Sequence, residues 1–118
     1  CQQFSGYKDR LAGIDFKGKA PIWQQAGYII NTTPVGMHPK VEACPWPEGL
    51  PFPPGAAIYD LVYNPAETVL LKRGRGAGLM AVNSLGMLIE QAALAFECWT
   101  GLEAPRPVMI ESISGVRT

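Results

Sequence analysis

Residues 57–67 have the sequence Ala-Ile-Tyr-Asp-Leu-Val-Tyr-Asn-Pro-Ala-Glu, and this stretch decides the fold class of the chain. Its first seven residues form a short run of mainly apolar side chains bounded by turn-forming residues, which is typical of a buried strand. Asn64, Pro65 and Glu67 suit the cap, the first and the third positions of a helix, so a helix is predicted to begin here. A strand followed directly by a helix is the repeating unit of a parallel α/β sheet.

The same pattern recurs on both sides of this stretch. Strands are predicted over 27–31 and 79–82, and Ser84 is predicted to cap a mostly apolar helix over 85–100 that Gly101 ends. A last short helix is expected to run from Pro105 or Pro107 to Gly115. Seven of the eleven prolines lie between residues 34 and 54, which excludes a helix or an inner strand there. The expected fold is therefore an α/β protein with about three parallel strands, and its open edge indicates part of a larger, truncated sheet.

Composition narrows the possible function classes. The chain has 118 residues, with ten basic and ten acidic side chains, so its net charge gives no general attraction to nucleic acid or to anionic membranes. No apolar run is long enough to span a membrane, and no signal peptide is visible. Its three cysteines are widely spaced and its single histidine has no partner motif, so neither a metal site nor a disulfide scaffold is expected. These features suit a reducing, cytoplasmic location, and the start at Cys1 rather than Met suggests an excerpt of one domain.

Polar residues gather where the predicted strands end, at 31–37, 63–65 and 83–87. Ligands of open parallel sheets bind beyond the carboxyl ends of the strands, but ordinary turns also favour these residue types, so both interpretations stand. Asp60 is interpreted as a strand residue that hydrogen-bonds a neighbouring loop rather than as a catalytic acid. His38 is interpreted as a solvated loop residue. Gln91 either hydrogen-bonds within a site or lies at the surface.

Taken in order, the strand-end motifs resemble the C-terminal half of shikimate dehydrogenase. The matching stretches are 29–37 (Ile-Ile-Asn-Thr-Thr-Pro-Val-Gly-Met), 59–68 (Tyr-Asp-Leu-Val-Tyr-Asn-Pro-Ala-Glu-Thr), 85–93 (Leu-Gly-Met-Leu-Ile-Glu-Gln-Ala-Ala) and 96–101 (Phe-Glu-Cys-Trp-Thr-Gly). The resemblance begins near Ala26, so residues 1–25 are treated as a poorly defined segment. Residues 26–118 are treated as the C-terminal part of a Rossmann-like NADP-binding domain.

The resemblance implies an oxidoreductase of aromatic amino-acid biosynthesis that reduces 3-dehydroshikimate to shikimate with NADPH. By position, Tyr63 and Gln91 are expected to contact the substrate. The Leu61 backbone, Ser84 and Met87 are expected to line the nicotinamide pocket. Thr32 and Thr33 are expected near the cofactor.

The chain departs from the family pattern in ways that bear on activity. The family's substrate domain, its catalytic Lys–Asp pair and its glycine-rich phosphate loop have no counterpart in this sequence, and Gly74-x-Gly76-x-Gly78 falls at a predicted helix end. Ser84 stands where the family usually has glycine, and Gly27 where it often has an acidic residue. No catalytic residue is therefore assigned, and the chain is expected to be inactive alone and to bind NADP weakly or not at all. The alternative is a non-catalytic oligomerisation or binding module that self-associates through helix 85–100.

Overall fold

Three short parallel strands form the single sheet of the computed structural model, which describes residues 6, 9–16 and 22–115. The strands are β1 (Tyr28–Asn31), β2 (Ala57–Asp60) and β3 (Met80–Asn83), arranged in the order β1-β2-β3. Ile29 pairs with Ile58, which in turn pairs with Ala81. The predicted α/β fold with a narrow parallel sheet is confirmed. Of residues 1–25, which were treated as a poorly defined segment, positions 9–16 contain no helix or strand and Ile22–Gln25 form a 3₁₀ turn; positions 1–5, 7, 8 and 17–21 lie outside the described residues.

The helices are α1 (Val69–Gly76), α2 (Leu85–Thr100) and α3 (Arg106–Gly115). The predictions for α2 and α3 are confirmed. Gly101 ends α2 with a φ of 70°, the left-handed conformation that favours glycine, and its N–H donates to the Glu97 carbonyl at 2.9 Å. The predicted stop signal of α2 therefore acts as expected.

The predicted start of α1 at Asn64 is wrong. The helix begins at Val69, and its N-cap is Thr68, whose hydroxyl oxygen accepts a hydrogen bond from the Leu71 N–H at 3.3 Å. The same hydroxyl donates to Oδ2 of the buried Asp60 at 2.6 Å, so a tertiary hydrogen bond fixes the helix start. β2 ends at Asp60, three residues before the predicted end at residue 63, which leaves a loop between strand and helix.

The core lies on one face of the sheet. Ile58 and Ala81 point towards α1, where they pack with Leu70 and Leu71, all at most 5% exposed. The proline-rich connection over 34–54 contains no helix or strand, as predicted. Its residue Trp46 packs in the same cluster. The Trp46 ring stacks on Phe52 and meets Trp23 and Phe16 edge-on, with ring centroids 5.1–5.8 Å apart. The irregular loop thus closes one side of the core.

The opposite face of the sheet is open. Tyr28, Ile30, Met80 and Val82 are between 44% and 77% exposed, whereas parallel sheets are usually covered on both faces. In the part of the chain that the structure describes, no helix is both long and apolar enough for a bilayer crossing.

Candidate functional site

A cleft of about 430 Å³ opens where β1 and β2 end at their carboxyl termini. Such a crevice is the usual ligand position in an open parallel sheet. The loop after β1 and the loop after β2 line it, through Thr32, Thr33, Pro34, Met37, His38, Leu61, Val62, Tyr63 and Asn64. Four residues that were predicted from the resemblance to form a site, Thr32, Thr33, Leu61 and Tyr63, therefore lie together around one cleft. A larger hollow of about 520 Å³ at the other end of the sheet is lined mainly by prolines, glycines and apolar side chains.

The carboxylate of Asp60 supports the floor of this cleft. Asp60 is fully buried, and its Oδ1 accepts hydrogen bonds from Asn31 Nδ2 at 2.9 Å and from the Val62 N–H at 3.0 Å. Its Oδ2 accepts the hydroxyl hydrogen of Thr68. One carboxylate therefore joins the end of β1, the loop after β2 and the start of α1. The interpretation of Asp60 as a strand residue that hydrogen-bonds a neighbouring loop is confirmed, whereas no pattern in the sequence indicated Thr68 as a second partner.

Asn31 extends this network to the cleft wall. Its Oδ1 accepts hydrogen bonds from the N–H of Thr33 at 3.0 Å and from the Thr33 hydroxyl at 2.7 Å, and its Nδ2 also donates to the Val35 carbonyl at 3.2 Å. The Thr33 hydroxyl accepts from the Val35 N–H at 3.3 Å as well, so it is committed to the loop. Both threonines are exposed on the cleft wall, but among the described residues only the Thr33 hydroxyl makes hydrogen bonds within the loop. Of the two threonines, Thr32 presents the freer hydroxyl to a ligand.

The loop after β1 turns sharply at Gly36. Its φ of 94° lies in the region that only glycine adopts readily, and a Cβ there would lie 3.1 Å from the Ala43 carbonyl oxygen. The turn brings His38 back to the second loop, where its N–H donates to the Asn64 carbonyl at 3.2 Å. His38 is exposed, as predicted, but it also lines the cleft, which the sequence analysis missed. The adjacent Gly36-Met37 motif was the available signal.

The prediction that Ser84 caps α2 with its side chain is wrong. Ser84 occupies the N-cap position and is 1% exposed, but its hydroxyl donates to the Leu61 carbonyl at 2.6 Å. Asn83 takes over the local role, because its Oδ1 accepts a hydrogen bond from the Leu85 N–H at 3.1 Å. A strong carbonyl acceptor on the neighbouring loop therefore competes successfully with the helix for the Ser84 side chain. Ser84 lies directly behind the Leu61 part of the cleft wall.

Met87 and Gln91 lie one helical turn apart on α2, and both are exposed. Neither is among the residues that line the cleft. The roles predicted for them, at the nicotinamide and at the substrate, stay predictions.

A small group of ion pairs joins α2 to α3. Arg106 bridges Glu90 at 3.1 Å and Glu97 at 2.7 Å. Hydrogen bonds from Arg106 and from the Ala104 N–H hold the pKa of the Glu97 carboxyl below its ordinary value. Because these groups are at the surface, they contribute little to stability. Within residues 9–16 and 22–115, no group of three His, Cys, Asp or Glu side chains is arranged to hold a metal ion.

Comparison with known proteins agrees with this geometry. The family described as the Shikimate 5'-dehydrogenase C-terminal domain matches residues 85–113. The NADP(+)-dependent shikimate dehydrogenase of Methanocaldococcus jannaschii is 39% identical over 111 residues, which cover 94% of this chain and 35% of that enzyme.

Solved structures show the same relationship. A shikimate dehydrogenase in complex with NADP+ superimposes with a TM-score of 0.68 and 43% identity, covering 77% of this chain and 32% of its own. The Thermus thermophilus enzyme, solved with NADP(H) and shikimate, gives a TM-score of 0.67 and 39% identity, covering 75% of this chain and 33% of its own. The chain spans about a third of the length of the relatives it matches. In sequence and in structure, this chain corresponds to the C-terminal region of the shikimate dehydrogenase family.

Proposed function

We propose that this chain forms one wall of the cofactor and substrate cleft of an NADP-dependent shikimate dehydrogenase, and that it does not reduce 3-dehydroshikimate alone. The observation that carries the proposal is the cleft between the loops after β1 and β2. Its lining comes from residues 32–38 and 61–64, which belong almost entirely to the motifs that resemble the family. Relatives with this fold have been solved with NADP(H) and shikimate bound, which supports the same ligand classes here.

The cleft suits the nicotinamide end of the dinucleotide better than the whole cofactor. Its volume of about 430 Å³ lies towards the lower end of the range for small-molecule sites. The Thr32 hydroxyl offers a donor to a carboxamide, and the Leu61 carbonyl, which already accepts from Ser84, has a second lone pair to offer as an acceptor. Met37 and Val62 offer apolar contact. The sequence has no glycine-rich loop before a helix to bind the pyrophosphate. The residues present therefore fit one half of the cofactor, and we expect weak binding of NADP by this chain.

The cofactor, when bound, supplies the hydride for ketone reduction. The role of this chain is to bind the cofactor and the substrate and to orient them towards each other. Tyr63 lines the cleft with 49% of its surface exposed, so its phenol hydroxyl can reach a substrate hydroxyl or carboxylate. Gln91 would contact the same substrate from α2.

Reduction of a ketone also needs a proton donor beside the oxygen that becomes an alkoxide. The family resemblance assigns that task to a Lys–Asp pair outside the matched motifs, and Asp60 is fully committed to hydrogen bonds inside the fold. Absence of a positioned donor typically slows such a step by about 10²–10⁴-fold. This loss, together with weak cofactor binding, is why we propose that the chain is inactive alone.

A chimera tests the positive part of the proposal. This chain would replace the matching 35% of the Methanocaldococcus jannaschii enzyme, and shikimate-dependent reduction of NADP+ would be measured. We expect the chimera to be active and its Tyr63→Phe variant to use shikimate less well with little change in NADP+ affinity. A folded but inactive chimera would contradict the proposed function, and unchanged shikimate kinetics in the variant would remove Tyr63 from the site.

The isolated chain tests the negative part. Titration with NADPH, followed by fluorescence, should show no saturable binding at micromolar concentrations, and addition of 3-dehydroshikimate should cause no turnover. Enzyme-like oxidation of NADPH by the chain alone would refute the proposal that the chain is inactive without the rest of the enzyme.

The alternative function, a module that self-associates through helix 85–100, is favoured by one observation. Leu94 and Trp99 on α2 are 59% and 84% exposed, which is unusual for large apolar side chains on one helix. Light scattering after size exclusion separates the two functions: a concentration-independent monomer rules out the module, whereas a stable dimer that Trp99→Ser dissociates would support it.

A further inference from the structure

α2 is joined to the rest of the protein differently from α1. α1 packs on both β2 and β3, whereas the main packing partner of α2 among the described elements is α3. The link between β3 and α2 contains no intervening residue except Ser84, because β3 ends at Asn83 and α2 begins at Leu85. The direction in which α2 leaves the sheet is therefore decided largely at this junction.

Two side chains tie the junction to the loop between β2 and α1. The Ser84 hydroxyl donates to the Leu61 carbonyl at 2.6 Å, and Asn83 Nδ2 donates to the Ala66 carbonyl at 2.8 Å. Of the two, only the Ser84 bond ends on a residue of the cleft wall. Ser84 is also 1% exposed, so water does not readily replace its partner.

We propose that Ser84 is a positioning residue whose hydrogen bond to Leu61 sets the angle between α2 and the cleft wall. The bond does not cap α2, since the Ser84 side chain makes no hydrogen bond to the helix, and so its role is orientation rather than helix formation. The functional consequence rests on the proposed function: Met87 and Gln91 reach the cofactor and the substrate only if α2 is held at the correct angle.

The geometry makes this angle important. A helix rises by about 1.5 Å per residue, so Gln91 lies about 10 Å and Cys98 about 21 Å along α2 from Ser84. A tilt of about 10° about the junction would move Gln91 by about 2 Å and Cys98 by about 4 Å. A shift of this size is enough to break a hydrogen bond between Gln91 and a substrate.

Distance measurement between spin labels tests the proposal on the chain itself. One label is attached to Cys98, which is exposed on α2, and the other to a Lys72→Cys substitution on the exposed side of α1. Cys1→Ser and Cys44→Ser prevent further labelling, and serine at position 44 keeps an acceptor for Arg73, whose Nη1 lies 3.2 Å from the Cys44 sulfur. Pulsed dipolar spectroscopy then gives the distribution of α1–α2 distances.

Ser84→Ala should increase the fraction of spin pairs outside the native distance range about fivefold, the equivalent of about 1 kcal/mol for one lost hydrogen bond. Ser114→Ala is the matched control, because it removes a serine hydroxyl that donates only within exposed α3, to the Ile110 carbonyl. The control should leave the distribution unchanged. Circular dichroism should show the same helix content in both variants.

Two results would overturn the proposal. One is a Ser84→Ala distribution as narrow as that of the control. The other is loss of helix content in Ser84→Ala, which would mean that the hydroxyl holds the fold together rather than orienting α2. A widened distribution combined with an inactive chimera would leave Ser84 as the determinant of the α2 angle and would refute only the proposed function.

Discussion

Removal of the Asp60 carboxylate should destabilise the protein more than any surface substitution, because that side chain accepts three hydrogen bonds and has no exposure to water. In Asp60→Ala, the Val62 N–H and one N–H of the Asn31 amide lose their acceptor inside the fold, while the Asn31 amide keeps its bond to the Val35 carbonyl. The Thr68 hydroxyl also loses its acceptor but can rotate towards another.

The size of the effect follows from these partners. A buried donor left without an acceptor costs about 1–3 kcal/mol of stability. The unpaired N–H groups of Asn31 and Val62, together with the lost bond from Thr68, therefore predict that the free energy of unfolding falls by about 3–5 kcal/mol. A chain of this length has a total stability on the order of 6–18 kcal/mol. Asp60→Asn keeps one carbonyl oxygen as the acceptor for Asn31 and Val62 but loses the acceptor for Thr68. We therefore expect its free energy of unfolding to fall by about 1–2 kcal/mol.

Urea denaturation followed by circular dichroism measures both variants, with comparison of midpoints at equal slope. Asp9→Ala is the matched control, since it removes an exposed aspartate, and it should change stability by less than about 0.5 kcal/mol. If Asp60→Ala unfolds at the same urea concentration as this control, the three hydrogen bonds of Asp60 do not stabilise the fold and this prediction is refuted.

Three further predictions concern α1 and α2. Thr68→Ala should lower the free energy of unfolding by about 2–4 kcal/mol, because it removes both the N-cap of α1 and the hydrogen-bond donor to the buried Asp60 carboxylate. Thr68→Ser keeps both bonds and should lower the free energy of unfolding, measured by urea denaturation, by less than half of that. Gly74→Ala should lower the free energy of unfolding by about 1–2 kcal/mol in the same assay, because its Cβ would clash with Cδ1 of Ile58. Ile58→Val removes that methyl group and should relieve part of this loss. Because the pKa of Glu97 is lowered in the folded state, its bond to Arg106 stabilises the fold above the ordinary glutamate pKa. This stabilisation is lost as the pH falls through the lowered pKa. The free energies of unfolding of Glu97→Gln and of the unmodified chain should therefore differ at neutral pH and become equal in acid. A difference that persists in acid would contradict this account of the α2–α3 contact.

Local patterns in the sequence were sufficient for the elements and their order. Short apolar runs bounded by breakers predicted all three strands, and the helical spacing from Leu85 with the stop at Gly101 predicted α2. These features depend on neighbours within a few residues, which the sequence shows directly. For the polar residues at the strand ends, local patterns left two interpretations open, a ligand crevice and ordinary turns, and the cleft at these loops became visible only in the structure.

Only the tertiary structure shows which polar side chains line the cleft and which form buried hydrogen bonds that hold the fold together. Asp60 meets a partner 29 residues away in Asn31, and Ser84 meets one 23 residues away in Leu61. Two tertiary bonds oppose the local signals: the bond from Thr68 to Asp60 accompanies a helix start at Thr68 rather than Asn64, and the bond from Ser84 to Leu61 takes the Ser84 hydroxyl away from α2. A buried hydrogen bond to a distant group is worth as much as a local cap, and its existence depends on how the loops are brought together in space, which no local pattern records.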